Sequence, residues 1–256
     1  MKYKKLLIFV TSLIFLVTLV VSFVTIFKVA EIELHVVEIE NSNVELKESC
    51  VNVLENYKNK NLIFIKKSNV ENELKSTSGY VKVVSLEKAY PNRLVISVEE
   101  REEAYAVKAG DKYAVLDKDF NVLAVKNENV NNLNKANVEI KSDLSNYDES
   151  LLVVGGAFKL YDDSSTAILN TISPKIVEMR ENLKSIFVIV KSDGQDNRFI
   201  RLTFVEGLEI EIDKVDEYTL EKLEKAFDYY KNSSNKGDTV KKYVTKLVTG
   251  EIVVLW

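Results

Sequence analysis

Tyr90-Pro91-Asn92-Arg93-Leu94-Val95-Ile96-Ser97-Val98-Glu99-Glu100-Arg101 is the stretch from which the fold is read. Pro91 presets a turn. Beyond it Leu94, Ile96 and Val98 alternate with Val95, Ser97 and Glu99, the two-residue period of a strand with one buried face. Tyr80 to Leu86 reads as the strand before the turn. Further upstream, Ala30, Ile32, Leu34 and Val36 alternate with Glu31, Glu33 and His35, a third half-buried strand.

Between these strands lie two helix signals. Ser42-x-x-Glu45 reads as a capping box, and Leu46, Cys50, Val53, Leu54 and Tyr57 then share one helical face. Ser68-x-x-Glu71 reads as a second capping box, opening a short helix on Val70 and Leu74 that stops near Gly79. Residues 29–101 therefore run strand, helix, helix, strand, strand. Two helices over one face of a three-stranded sheet would bury all three apolar stripes.

Ahead of this domain, Leu6 to Phe27 carries no charge. As a helix it would be about 33 Å long, against a bilayer core of about 30 Å. A signal peptide is the alternative, but its apolar core runs about 7–15 residues before a small-residue cleavage site, and here Lys28 follows directly. The expected layout is a cytoplasmic tail at 1–5, a transmembrane helix at 6–27 and everything else outside the cytoplasm. Lys2, Lys4 and Lys5 hold the N-terminus inside, while Glu31, Glu33, Glu38 and Glu40 follow the span.

Past residue 104 strands dominate. Lys112 to Asp117 and Phe120 to Val125 read as a hairpin, and residues 126–150 as a polar loop or insertion. Residues 164–184 fit a helix or, at Ile176, Val177 and Met179, a strand. Ile186 to Val190, Arg198 to Val205 and Leu208 to Ile212 read as strands. Asp216 to Lys231 is an amphipathic helix on Leu220, Leu223, Phe227 and Tyr230, and Lys241 to Val248 and Glu251 to Trp256 are the final strands. The fold class is α+β: one transmembrane helix, a β-α-α-β-β domain, then a mixed β-rich domain at 104–256 with a long C-terminal helix.

Composition narrows the function. The net charge is −4, with 35 basic and 39 acidic residues, so there is no basic footprint for nucleic acid. Residues 1–28 hold four lysines and no acid, which leaves 31 basic against 39 acidic residues beyond them, a net −8. One cysteine, Cys50, excludes an intramolecular disulfide and a cysteine zinc cage, and it reads as a small buried hydrophobe. His35, the lone histidine, reads as a surface residue. Asp117-x-Asp119-x-Asn121 with Glu128 has part of the spacing of a calcium loop. Yet Val122 stands where that loop needs glycine, so a hairpin turn is the better reading. Gly155-Gly156 lacks the Lys-Ser/Thr pair of a phosphate loop. The Glu99-Glu100-Arg101-Glu102-Glu103 run reads as a solvated strand end, with protein docking as its alternative. No cofactor, metal or small-molecule substrate is expected, and no catalytic set assembles.

The whole arrangement resembles the FtsQ/DivIB family of bacterial cell-division proteins. Residues 90–101 resemble its "P-x-x-L-x-I-x-V-x-E-R" strand, which closes a POTRA domain. Asn61-Leu62-Ile63-Phe64 is similar to its "N-L-F" step between the two POTRA helices. Leu116-Asp117 with Val122-Leu123 is similar to its "D-x-x-G-x-V-L" hairpin, with Phe120 in place of the glycine. Glu103 replaces a usual proline, Gly79 stands where proline is common, and Asn41-Ser42 replaces a usual "G-N".

The resemblance implies a non-enzymatic, membrane-anchored divisome scaffold, enriched at the septum. Its partners would be bitopic proteins of the FtsB/DivIC and FtsL type, with lipid met through residues 6–27. It also implies strand addition to a C-terminal sheet edge. The edge expected here is Lys241, Lys242, Tyr243, Val244, Thr245, Lys246 and Leu247, its lysines guarding against aggregation, with Trp256 as a further anchor or, equally, a cap on the sheet's end. A POTRA-containing transport or assembly factor and a membrane-anchored ligand-binding protein are the alternatives.

Overall fold

The computed structural model describes residues 2–39, 45–109, 112–127, 138–142, 152–159, 163–191, 197–234, 236–237 and 241–255. The chain forms two compact units, Met1–Arg101 and Glu102–Trp256.

The first unit opens with helix α1, Lys2–Ile26, whose stretch Leu6–Ile26 is long and apolar enough to cross a membrane and holds no buried residue. Its threonines are satisfied within the helix. Thr11, Thr18 and Thr25 each donate a hydroxyl to the carbonyl four residues back, Leu7, Ile14 and Val21, which removes the cost of an unpaired hydroxyl in lipid.

Strand β1 (Glu31–Val37), helices α2 (Leu46–Leu54) and α3 (Lys67–Thr77) and strands β2 (Val81–Ala89) and β3 (Arg93–Glu100) follow. The sheet order is β1-β3-β2. β3 is therefore central, parallel to β1 with Ile32, Leu34 and Val36 opposite Leu94, Ile96 and Val98. It is antiparallel to β2. The buried alternate residues of β3 meet Cys50 and Leu54 of α2 and Val70 and Leu74 of α3 in one core. Burial, helped by the charge of Glu38, pushes the Cys50 thiol up to about 11, so it stays protonated at neutral pH.

The helix starts depart from the capping-box expectation. α3 begins at Lys67 with Lys66 as its N-cap and no side-chain cap bond, so Ser68 lies inside the first turn. α2 starts at Leu46 behind Glu45, also without a side-chain cap, and Ser42 is outside the described residues. The charged run at the end of β3 serves the domain itself. Glu100 accepts the Ile39 amide at 2.9 Å, Arg101 Nε donates to the Val81 carbonyl at 3.3 Å, and Lys82 bridges Glu99 at 3.1 Å.

The second unit contains β4 (Tyr105–Ala109), β5 (Lys112–Leu116), β6 (Val122–Lys126), β7 (Val138–Ser142), α4 (Asp163–Glu178), β8 (Leu183–Lys191), β9 (Asn197–Phe204), β10 (Glu209–Ile212), α5 (Thr219–Asn232), β11 (Lys242–Lys246) and β12 (Ile252–Leu255). The strands form one nine-stranded sheet in the order β12-β11-β10-β9-β8-β7-β4-β5-β6. Leu169, Ile172 and Ile176 of α4 and Leu223, Ala226, Phe227 and Tyr230 of α5 share its main core with Ile186, Val188, Ile200, Leu202, Ile210, Ile212 and Val244.

Two expectations change here and one open reading is resolved. The 126–150 segment is not all loop, because β7 lies within it and pairs in parallel with both β4 and β8, in the middle of the sheet. The ambiguous 164–184 stretch is a helix with Pro174 inside it, then a short 3-10 turn, then the start of β8. Leu220 is exposed, and the buried face of α5 runs instead through Thr219, Lys222, Leu223, Ala226, Phe227 and Tyr230.

In the β5–β6 hairpin the buried Asp117 side chain closes the turn. Its Oδ1 accepts the Asp119 amide at 2.9 Å, the Asn121 amide at 2.8 Å and the Asn121 side chain at 3.0 Å. Glu128 is outside the described residues. Phe120 has a φ of 59°, a left-handed conformation that costs a side-chain-bearing residue about 1–2 kcal/mol. It is retained because its buried ring stacks on Tyr105 with centroids 4.9 Å apart, and losing a buried phenylalanine costs about 3–5 kcal/mol. Packing outweighs strain. Phe120→Gly should therefore destabilise this unit by roughly 2 kcal/mol in urea unfolding despite relieving the backbone; an unchanged or raised stability would show strain to be the larger effect.

Candidate partner-binding edge

The last three strands are built around one crossover. β10 runs into α5, and α5 returns the chain to β11, which pairs in parallel with β10, Ile210 opposite Lys242 and Ile212 opposite Val244. A parallel return of this kind needs a covering helix, and a buried lysine fastens that helix. Lys222 Nζ donates to the carbonyls of Asp213 at 3.0 Å and Lys214 at 2.9 Å and to Asp216 Oδ2 at 3.0 Å. Asp216 also accepts the Tyr218 amide at 2.9 Å. At the other end of α5 the Tyr230 ring stacks on Phe204 at 4.0 Å and its hydroxyl bonds Glu206. Burial first, then Glu206, pushes that phenol up to about 12.

After β11 the chain turns through Leu247-Val248-Thr249-Gly250. Gly250 takes a φ of 90°, which glycine allows without a Cβ clash, and its amide donates to Leu247 O at 2.9 Å. β12 then pairs antiparallel on the outer side of β11, Tyr243 opposite Leu255 and Thr245 opposite Val253. The expected edge Lys241, Lys242, Tyr243, Val244, Thr245, Lys246 and Leu247 is thus corrected. β11 is bonded on both sides, and the end of the sheet is β12.

The lysines have inward or lateral tasks rather than edge protection. Lys241 lies 3.8 Å from Glu211, Lys242 is buried, and Lys246 sits over the Tyr218 ring. Val244 is in the core, whereas Tyr243 and Leu247 are exposed. Trp256 is outside the described residues. The missed signal was Val248-Thr249-Gly250 between two short apolar strands, a hairpin that puts the final strand outermost.

The backbone of β12 has a definite polarity. Leu247 N donates to Glu251 O at 2.8 Å, and antiparallel pairs alternate between bonded and non-bonded. Thr245–Val253 and Tyr243–Leu255 are then the bonded pairs, and Ile252 and Val254 direct their N–H and C=O groups away from β11. Their side chains pack on the core beneath. Val254 also borders a groove of about 400 Å³ lined by Lys225, Asp228, Tyr229, Asn232, Ser233 and Ser234 of α5 and its end.

On the opposite face a row crosses the sheet through Leu255, Tyr243, Glu211, Arg201 and Phe187. Arg201 bonds Glu211 at 3.1 Å and lies over Phe187. The other end of the sheet is partly covered. Val122 N donates to Gly156 O at 2.8 Å, Gly155 N to Val122 O at 2.7 Å and Phe158 N to Phe120 O at 2.8 Å. The two glycines thus form a strap over the start of β6. His35 is on the surface beside Glu33 at 3.1 Å, and among the described residues no cluster of His, Cys, Asp and Glu is arranged to hold a metal.

Residues 33–101 match the family model of a POTRA domain, FtsQ-type. A long apolar helix followed by this domain and a large β-rich unit is consistent with the FtsQ/DivIB family. Comparison with curated proteins found no match.

Removing the Lys222 amine should leave Asp216 Oδ2 and two carbonyls without this donor. Lys222→Met is expected to lower unfolding stability by about 3 kcal/mol, while Lys241→Met, a half-exposed pair, changes it by less than about 1 kcal/mol. Urea unfolding of both variants checks this, and equal effects would deny Lys222 its fastening role.

Proposed function

We propose that this protein is a non-enzymatic, single-pass scaffold of the bacterial division machinery. The observation that carries the reading is the FtsQ-type POTRA match at residues 33–101, directly behind an apolar helix of membrane-spanning length. Lys2, Lys4 and Lys5 favour a cytoplasmic N-terminus and the acidic residues after Lys28 an extracytoplasmic remainder. Anchoring confines both exported units to one membrane face and raises their effective concentration for partners held there.

The partners in this reading are bitopic proteins of the FtsB/DivIC and FtsL type. An extended partner segment would continue the nine-stranded sheet at β12, its main chain bonding Ile252 and Val254. Alternate side chains would fall toward the α5 groove and toward Leu255 and Tyr243. Main-chain bonding supplies affinity and the two sides of the strand supply specificity.

A fluorescent fusion at the cytoplasmic end should mark the division site, and a uniform membrane signal through the cell cycle would contradict the scaffold reading. Val254→Pro separates docking from folding. Proline is tolerated where an edge N–H faces outward, so the thermal midpoint should move little, while each lost partner bond weakens binding by about 1 kcal/mol. A normally folded Val254→Pro chain that keeps full affinity for the partner ectodomain would rule out β12 as the docking strand.

A further inference from the structure

The span and the POTRA domain are joined without a linker. Ile26 ends α1, and by Val29 the chain is already clamped in the domain. Leu62 N donates to Phe27 O at 2.7 Å, Val29 N to Lys60 O and Asn59 N to Val29 O at 2.9 Å each, and Ala30 N to Asn92 O at 2.8 Å. Leu6–Ile26 at a helical rise covers about 31 Å, one hydrocarbon core. The Phe27 carbonyl therefore marks the membrane boundary, and whatever bonds to it lies at interfacial depth.

What bonds to it is unusual for a net-acidic exterior. Asn56 to Lys67, Asn-Tyr-Lys-Asn-Lys-Asn-Leu-Ile-Phe-Ile-Lys-Lys, contains four lysines and no acid. Lys58, Lys60, Lys66 and Lys67 are all exposed, as is Lys28 at the helix end. Glu55, 2.5 Å from Lys58, is the one acid paired to these five among the described ion pairs. Lys88 adds its charge by donating to Ile63 O at 2.8 Å.

The same turn displays its largest apolar side chain outward. Asn61 caps the 3-10 turn Leu62–Phe64 through the Ile63 amide. Leu62 is buried, and Phe64 is left 73% exposed. Phe64 is two residues from the bond to Phe27, so it lies within about 7 Å of chain length from the boundary. Tyr90, 59% exposed, sets its ring edge-on to Phe27 at 5.8 Å, and Phe27 meets Phe23 at 4.9 Å. Exposed aromatic rings flanked by lysines at the end of a span are the composition of an interfacial anchor.

We propose that the Tyr57–Lys67 turn, with Tyr90, is a second membrane contact that seats Phe64 among the headgroups and its lysines on anionic lipid, fixing the POTRA domain against the bilayer. This rests on the membrane-spanning reading of α1.

The test uses the full chain in a Trp256→Phe background, reconstituted in vesicles containing lipids brominated near the headgroup, with a parallel set brominated deep in the acyl chain to read Phe15 at the middle of the span. Three single-tryptophan chains are compared: Phe64→Trp at the turn, Phe15→Trp within the span, and Ser76→Trp near the end of α3. Ser76 is exposed and lies toward the opposite end of the POTRA sheet, roughly 25 Å away along β3. The Phe64→Trp chain should be quenched about threefold more than the Ser76→Trp chain when phosphatidylglycerol is included, and the excess should fall with Lys58→Glu, Lys60→Glu and Lys66→Glu. Quenching of Phe64→Trp no greater than Ser76→Trp, with Phe15→Trp strongly quenched, overturns the contact and leaves the span intact. Absence of quenching at Phe15→Trp overturns the span and the contact together.

Discussion

A β-sheet that does not close leaves a row of unpaired N–H and C=O groups along each end strand, and the second unit depends on how those two ends are treated. At β6 the Gly155–Phe158 strap supplies bonds to Phe120 and Val122. At β12 the core-facing side chains of Ile252 and Val254 are anchored while their backbone groups point away from the sheet. Everything C-terminal to β10 serves that placement. Lys222 fastens α5, α5 returns the chain in parallel, and the Gly250 turn lays the last strand on the outside. The edge is thus held on a stiff support, which reduces the ordering cost of adding a partner strand.

The sequence conveyed the first unit well because its signals were redundant. The alternation of Leu94, Ile96 and Val98, the helical spacing of Cys50 and Leu54, and the turn at Pro91 all demand the same buried layer. Helix starts were less legible, since Ser68 had the spacing of a cap but the chain enters α3 two residues earlier, with Lys66 as the N-cap. β7 escaped notice because Val138-Glu139-Ile140-Lys141-Ser142 is short and set in polar sequence. Its strand character comes from two parallel neighbours that local pattern does not reveal.

The C-terminal end of the sheet shows the same division between local and non-local information. Lysines at 241, 242 and 246 look like edge protection when a strand is considered alone. Their tasks are set by distant residues: Glu211 receives Lys241, and Tyr218 receives Lys246. Which of two adjacent strands lies outermost depends on the α5 crossover, a topological fact. Phe120 is a related case, since a bulky residue in a left-handed turn is legible only once the Tyr105 ring beneath it is known. In the first unit, Phe64 is exposed at a site where a buried residue would be the default, and its significance comes from Leu62, two residues before it, whose amide bonds the Phe27 carbonyl.

The central claim, that β12 presents a free backbone edge to a partner strand, is tested most directly by residue-resolved amide hydrogen exchange across Ile252 to Leu255. In the free chain, Val253 and Leu255 should be protected by β11 while Ile252 and Val254 exchange rapidly. Adding the partner ectodomain should slow Ile252 and Val254 selectively. Uniform protection along the strand without a partner, or no change at Ile252 and Val254 when the partner is bound, would contradict the account.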